Sequence, residues 1–183
     1  MTPLEQLLLS KSVRYGDFVL ASGQRSSYYI DCRLTTMSAE GMVLIGRAGL
    51  AAIREAGWIA TAVGGLTLGA DPVAYAIAAA SFGSGAVLDA FTVRKEAKEH
   101  GTRRLIEGNF TAGSSVVIVE DVITSGSSAL QAIQAVRGEG GQVAGILAVV
   151  DREQGGHQAL ESAGYAVRSL TTASALGLGK SGG

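Results

Sequence analysis

The sequence predicts an α/β fold, a doubly wound and mainly parallel sheet with a small N-terminal β piece as a hood. Three observations carry this. From about residue 59 onward, short apolar runs alternate with stretches whose apolar residues recur at helical spacing, the order that builds parallel βαβ units. The run at 143–150 is apolar throughout, as a parallel strand covered on both faces should be. Before residue 35 the pattern is instead two β-type runs about a polar Ser-Gly turn, which reads as hairpin-like.

The elements follow in order. Thr2 can cap a helix, Pro3 suits its first position and Glu5 can complete a capping box, with Leu4, Leu7 and Leu8 as the apolar stripe. The hairpin-like piece covers 17–31. Residues 38–55 read as a packing helix through Met42, Ile45, Leu50 and Ile53, ended by Gly57. Residues 59–63 read as a short buried strand, 64–72 as a glycine loop and 73–80 as a helix. A strand ends at Phe91, Thr92 and Val93, and a charged loop at 94–104 follows. Five of the chain's fifteen Lys and Arg residues fall in that loop. The strand at 116–119 leads into a helix that Gly138 to Gly141 break. After the strand at 143–150 come a short helix at 158–163, a strand at 166–170 and a glycine-rich tail at 176–183, expected to fray.

Composition sets the bounds. A length of 183 residues suits one domain with a real core: residues 1–183, with helix and hood over about 1–35 and core over about 59–172. A net charge of −1 implies no broad basic face, so no nucleic-acid partner is expected. Hydrophobic residues make up 47% and charged ones 17%, which suggests much buried sheet or an oligomer interface. The longest uncharged run, 72–88, holds Pro, Gly and Ser and falls short of the ~20 apolar residues of a membrane span. No signal peptide is read at the N-terminus. The lone Cys32 fits a reducing cytoplasm and reads as a small, half-buried hydrophobe. Trp58 reads as packing and His157 as a surface residue.

The chemistry concentrates at 116–128, VVIVEDVITSGSS. A buried strand runs into the acidic pair Glu120-Asp121, then Val122 and Ile123, then Thr124, Ser125, Gly126, Ser127 and Ser128 at a helix start. Ligands of open α/β sheets bind beyond the carboxyl ends of the strands, and a helix N-terminus with small hydroxyl residues is an anion site suited to phosphate. Two carboxylates cannot bind phosphate as well. They suit sugar hydroxyls, or a hydrated divalent cation between them and the ligand. The spacing matches neither a Walker loop nor a dinucleotide fingerprint.

This stretch resembles the phosphoribosyl-pyrophosphate (PRPP) motif of the type I phosphoribosyltransferases. Residues Phe18, Leu20, Ser22, Gly23, Ser26 and Tyr28 resemble the N-terminal signature of the orotate phosphoribosyltransferase family, where this piece is a hood over the base site. Residues 94–101, with Arg94, Lys95, Lys98, His100 and Gly101, resemble its mobile catalytic loop. Asp151, Arg152 and Gly155 resemble its orotate-carboxylate site, and 64–72 the pyrophosphate loop of the superfamily. The resemblance implies transfer of phosphoribose from PRPP to orotate, with Mg²⁺, in pyrimidine-nucleotide synthesis. It gives Arg94, Lys95, Lys98 and His100 as pyrophosphate contacts. It gives Glu120, Asp121 and the turn Val122 to Ser128 as the PRPP site, and Tyr29, Thr124 and Arg152 as the orotate site. Lys98, His100 and Asp121 would be the catalytic residues. No direct metal ligand is expected, because Mg²⁺ would be held mainly by PRPP, with Glu120 and Asp121 through water. A loop shared across subunits implies a homodimer.

Ala21 and Leu68 depart from the pattern, since many members carry Lys at the first position and some at the second. A purine phosphoribosyltransferase would share the 116–128 motif but not the loop or the hood signature. A PRPP-sensing regulator would be expected to add a nucleic-acid-binding segment.

Overall fold

The computed structural model describes residues 1–19, 23, 25–96 and 105–179. Helix α1 (Pro3–Lys11) starts on the expected capping box. The Glu5 amide donates to Thr2 Oγ1 at 3.2 Å, and the Thr2 amide donates to the Glu5 carboxylate at 2.7 Å. Its face of Leu4, Leu7 and Leu8 is buried.

Strands β1 (Val13–Val19) and β2 (Arg25–Ile30) pair antiparallel as a sheet of their own, the hood. A short α2 (Arg33–Thr36) follows. Helix α3 (Ala39–Glu55) is capped by Ser38, whose Oγ accepts the Gly41 amide at 3.1 Å.

The main sheet has the order β5-β4-β3-β6-β7-β8. Its strands are β3 (Ala62–Leu66), β4 (Asp89–Val93), β5 (Ile106–Gly108), β6 (Ser115–Ile123), β7 (Gln142–Asp151) and β8 (Val167–Thr172). All neighbouring pairs are parallel except β4 with β5. Helices α1, α3 and α4 (Ala70–Ser81) share one apolar cluster with Val117 and Val119. Helices α5 (Ser127–Gly138) and α6 (Gly156–Ser162) share another with Val116 and Ile118. Over 116–119 alternate residues of β6 thus serve opposite faces, as strand pleating requires, while at its end Val122 packs with the first cluster and Ile123 belongs to the second. From β3 the chain passes outward to β4, then returns to β6 on the other side of β3. That reversal opens a crevice beyond the carboxyl ends of β3 and β6.

Several boundaries differ from the sequence reading. Ile59 lies outside the sheet and is 87% exposed. Strand β3 instead runs on through Gly64 and Gly65, which the reading placed in a loop. A side chain at Gly64 would collide with the Phe91 carbonyl, and one at Gly65 with the Val119 carbonyl, so these glycines serve close strand packing. The glycine loop shrinks to Thr67–Gly69, and its Thr67–Leu68 peptide is cis. The acidic pair lies inside β6, which extends to Ile123. Helix α6 begins two residues earlier than expected, and β8 ends two later. The edge strand β5 was not foreseen. Cys32 is fully buried rather than half-buried. The tail does not fray where it is described, since Leu176 and Leu178 are each 3% exposed and belong to the core. Ala21, Lys98, His100, Gly101 and the last four residues lie outside the described residues.

Candidate active site

A cleft of about 610 Å³ opens at the crevice beyond β3 and β6. The hood and α2 line it with Tyr29, Asp31 and Arg33, and the loop after β3 with Thr67, Leu68 and Gly69. Its floor holds Glu120, Asp121, Val122 and Thr124, with Ser128, Lys95 and Arg152 at its margins. The structure therefore brings together residues from five separated segments.

The phosphate end is built by backbone. Gly126 adopts φ 80°, a left-handed conformation favoured by glycine, and this turns the chain into α5. The first-turn amides of a helix have no intrahelical acceptor and point outward. They face a 90 Å³ cavity lined by Glu120 and by Val122 through Ala129. The N-cap residue Gly126 brings no side chain, and the Ser127 amide has only a long contact to Ser125 Oγ at 3.4 Å, so a ligand oxygen can take the capping place. Every predicted member of the turn, from Val122 to Ser128, lines this cavity.

The acidic pair divides its work. As consecutive strand residues, Glu120 and Asp121 leave the sheet on opposite faces. Glu120 lines both cavities, is 5% exposed, and its Oε1 has no hydrogen-bond partner. Burial, then the charge of Asp121, pushes its carboxyl up to about 8. Burial also raises the Asp121 carboxyl, against the pull of the Val122 amide that donates to it at 2.9 Å. Asp121 faces Gly69, where an added Cβ would lie 2.5 Å from Oδ1.

The loop after β3 offers amides rather than charge. The Thr67 amide donates to the Val93 carbonyl, and its hydroxyl donates to Asp71 at 2.7 Å. Thr92 donates to the other Asp71 oxygen at 2.8 Å, which fixes the start of α4. Leu68 is 61% exposed at the mouth.

Of the predicted cationic loop, only its root is described. Lys95 lines the cleft, and its carbonyl accepts from Gln131 Nε2 on α5 at 3.2 Å. Arg94 is held outside the lining by an ion pair with Glu107 on β5, at 3.1 Å.

Arg152 sits just past β7 and is 9% exposed. Its neighbours Asp151 and Glu153 could pair with it, but both carboxylates are engaged elsewhere. Asp151 accepts the Glu153 amide at 2.7 Å and meets His157 Nδ1 at 3.1 Å. Glu153 accepts the Ser174 amide at 2.7 Å and its hydroxyl at 2.9 Å. Arg152 Nε and Nη2 are left without a partner, aimed at no internal acceptor and ready for a planar anion. His157 is therefore half-buried support for this corner rather than a plain surface residue.

Tyr29 lines the cleft beside Phe18, at a centroid distance of 5.8 Å. Sequence reasoning missed Asp31 and Arg33, a bidentate pair at 2.8 and 3.0 Å, because they belong to no motif. Tyr28 stood in the hood signature without a role of its own, and the period-two pattern of β2 could have signalled its burial.

Residues 45–173 match the Phosphoribosyl transferase domain. The chain is similar to orotate phosphoribosyltransferases from Rhodopirellula baltica, at 43% identity over 97% of this chain and 94% of the relative, and from Mycobacterium avium, at 47% identity over 96% of each. Among solved structures, it is similar to Mycobacterium tuberculosis H37Rv orotate phosphoribosyltransferase in complex with PRPP. The TM-score is 0.81 at 41% identity, covering 96% of this chain and 97% of that one.

Proposed function

The chain belongs to the phosphoribosyl transferase domain family and, within it, to the orotate phosphoribosyltransferases, and from this premise we propose how its cleft performs their reaction. It is a pentosyltransferase that joins the 5-phosphoribosyl group of PRPP to orotate, giving orotidine 5′-monophosphate and pyrophosphate in pyrimidine biosynthesis.

In our reading, the amides and hydroxyls of Thr124 to Ser128 hold the 5′-phosphate at the start of α5. Glu120 and Asp121 meet the ribose hydroxyls from the two sides of β6, and Asp121 steadies positive charge developing on the sugar. Arg152 takes the orotate carboxylate through a bidentate pair, with Tyr29 and Thr124 beside the base. Leu68 and Gly69 offer amides to the pyrophosphate. Lys95, with Lys98 and His100, and with Arg94 once it leaves Glu107, neutralises it and excludes water, which would otherwise hydrolyse the activated sugar. No protein nucleophile is required. Positioning and fixed charge supply the rate.

Mg²⁺ fits the oxygen-only donors of this site, since Glu120 Oε1 has no partner and Asp121 borders the cleft. It would be held mainly by PRPP, with both carboxylates through water, and supplies charge neutralisation on the phosphate oxygens.

We further propose one domain over residues 1–183 and a homodimer that shares the 94–104 loop. Exposed Val43, in the lining of an apolar cavity of about 270 Å³ between α3 and α4, supports a partner surface. No helix among the described residues is long and apolar enough to cross a membrane, and the lone buried Cys32 supports a cytoplasmic setting.

The observation that carries the reading is one cleft with an anion-binding helix start, two carboxylates and an unpaired buried arginine in sequence. The test is a spectrophotometric assay of orotate loss with PRPP and Mg²⁺, run beside adenine, hypoxanthine and uracil. Orotate alone should turn over. Turnover of a purine without orotate would overturn the substrate assignment.

A further inference from the structure

Arg152 can select a carboxylate only if its guanidinium is held with the donor edge toward the ligand. Its backbone is fixed, because its amide donates to the Ile123 carbonyl at 3.0 Å. That fixes the Cα and leaves a long, flexible side chain undirected. The acidic groups nearest in sequence do not direct it, since Asp151 and Glu153 are occupied by His157, the Glu153 amide and Ser174.

What lies against the guanidinium is a ring. Arg152 Cζ stands 5.5 Å from the centroid of Tyr28, within the range of a cation–π contact. Tyr28 is 3% exposed, so the contact is shielded from water. Its own position is set twice. Its amide donates to Ser26 Oγ at 3.3 Å, Ser26 Oγ donates to its carbonyl at 2.7 Å, and β2 pairs it with Tyr15. A π face attracts the flat side of a guanidinium and takes none of its N–H groups. It therefore orients Arg152 while leaving Nε and Nη2 unspent, which is how they are found.

We propose that Tyr28 is a positioning residue for base selection, carrying Arg152 on its ring so that the donor edge is presented to the orotate carboxylate. Tyr28 belongs to the hood and Arg152 to the core. The contact thus couples the placement of the hood to recognition of the base. This rests on the reading of Arg152 as the carboxylate-binding residue.

The test is steady-state kinetics on Tyr28→Phe, Tyr28→Leu, Arg152→Ala and the Tyr28→Leu/Arg152→Ala double variant. Tyr28→Phe keeps a π face and holds the KM for orotate near wild type. Tyr28→Leu raises that KM roughly tenfold, the scale of a desolvated cation–π contact, and leaves the KM for PRPP within about twofold. The double variant is no worse for orotate than Arg152→Ala, because Tyr28 acts through Arg152. If the leucine variant does not fold, Tyr28→Met supplies the same comparison with bulk and no π face. An orotate KM unmoved by Tyr28→Leu, while Arg152→Ala raises it, overturns the role of Tyr28 alone. Additive losses, or equal losses for both substrates, reduce Tyr28 to packing and also overturn it. An orotate KM unmoved by Arg152→Ala overturns the reading of Arg152 and this inference with it.

Discussion

Gly69 stands so close to Asp121 that a Cβ at its α-carbon would fall 2.5 Å from Oδ1 of the carboxylate. The backbone of Gly69 has an ordinary φ of −62°, so alanine is tolerated conformationally there. The glycine is needed for the space it leaves. Gly69→Ala should therefore displace the Asp121 carboxylate and raise the KM for PRPP about tenfold or more, the usual penalty for misplacing a group in a reacting site. The melting temperature should stay within a few degrees. Kinetics paired with thermal melting check this, and an unchanged KM for PRPP would remove Asp121 from sugar binding.

Gly126 presents the opposite case. Its φ of 80° is the obstacle, and Leu160 leaves only 2.9 Å for a new Cβ. Gly126→Ala should cost about 1–2 kcal/mol from the left-handed backbone alone, with more from the contact. It should also weaken PRPP binding, because the turn aims the α5 amides. Denaturant midpoints and PRPP titration calorimetry measure the two effects separately.

Arg152→Lys keeps a charge but loses the fork of donors. The KM for orotate should rise roughly tenfold to a hundredfold, the scale of one or two charge-assisted hydrogen bonds. Initial rates at saturating PRPP report it directly. A near-normal KM would show that charge without geometry suffices.

Glu120 gives the chain an unusual pH dependence. Its carboxyl is pushed from 4.5 up to about 8. Between those values the folded chain holds a proton that the unfolded chain has released. Stability from this group is thus fully present below about 4.5, falls as pH rises through the window and levels off above about 8. Melting temperatures of the ligand-free protein from pH 5 to 9 should show this decline. Glu120→Gln, which cannot ionise, should flatten it. Parallel curves for both proteins would rule Glu120 out as the cause.

Leu178→Ala should cost about 2 to 4 kcal/mol, as a buried leucine truncation does, although the glycine-rich composition around it suggests a loose end. Chemical denaturation checks this. A change below about 0.5 kcal/mol, normal for surface positions, would mean that the tail contributes nothing to the core.

That contrast shows where sequence was informative. The β6 strand, its turn and α5 were legible because strand, hydroxyl-rich turn and helix start are all encoded locally within thirteen consecutive residues. The hood pairing and the order of the central motifs were legible for the same reason. The start of β3 was not, because Gly64 and Gly65 look alike whether a glycine makes a turn or admits a neighbouring strand. Edge strand β5 is three residues long, too short for periodicity to register, and its partner is distant in sequence. Leu176 and Leu178 were misread because what buries them is a fold-level event. At the site, Arg152 was legible as a candidate, but its freedom from Asp151 and Glu153 depends on Ser174 and His157. The ring beneath it comes from the other end of the chain.

The opposed faces of Glu120 and Asp121 make alignment along β6 a chemical quantity as well as a packing one. A single-residue insertion upstream in this strand would do more than turn Val117 and Val119 toward the wrong helices. It would also turn each carboxylate to the other face, setting Glu120 in the place beside Gly69 and Val119 in the place of Glu120 at the phosphate nest. Length variation should therefore be far rarer within this segment than in the turn joining the two hood strands, and libraries of deletions across the gene would expose that asymmetry as a sharp trough of lost growth.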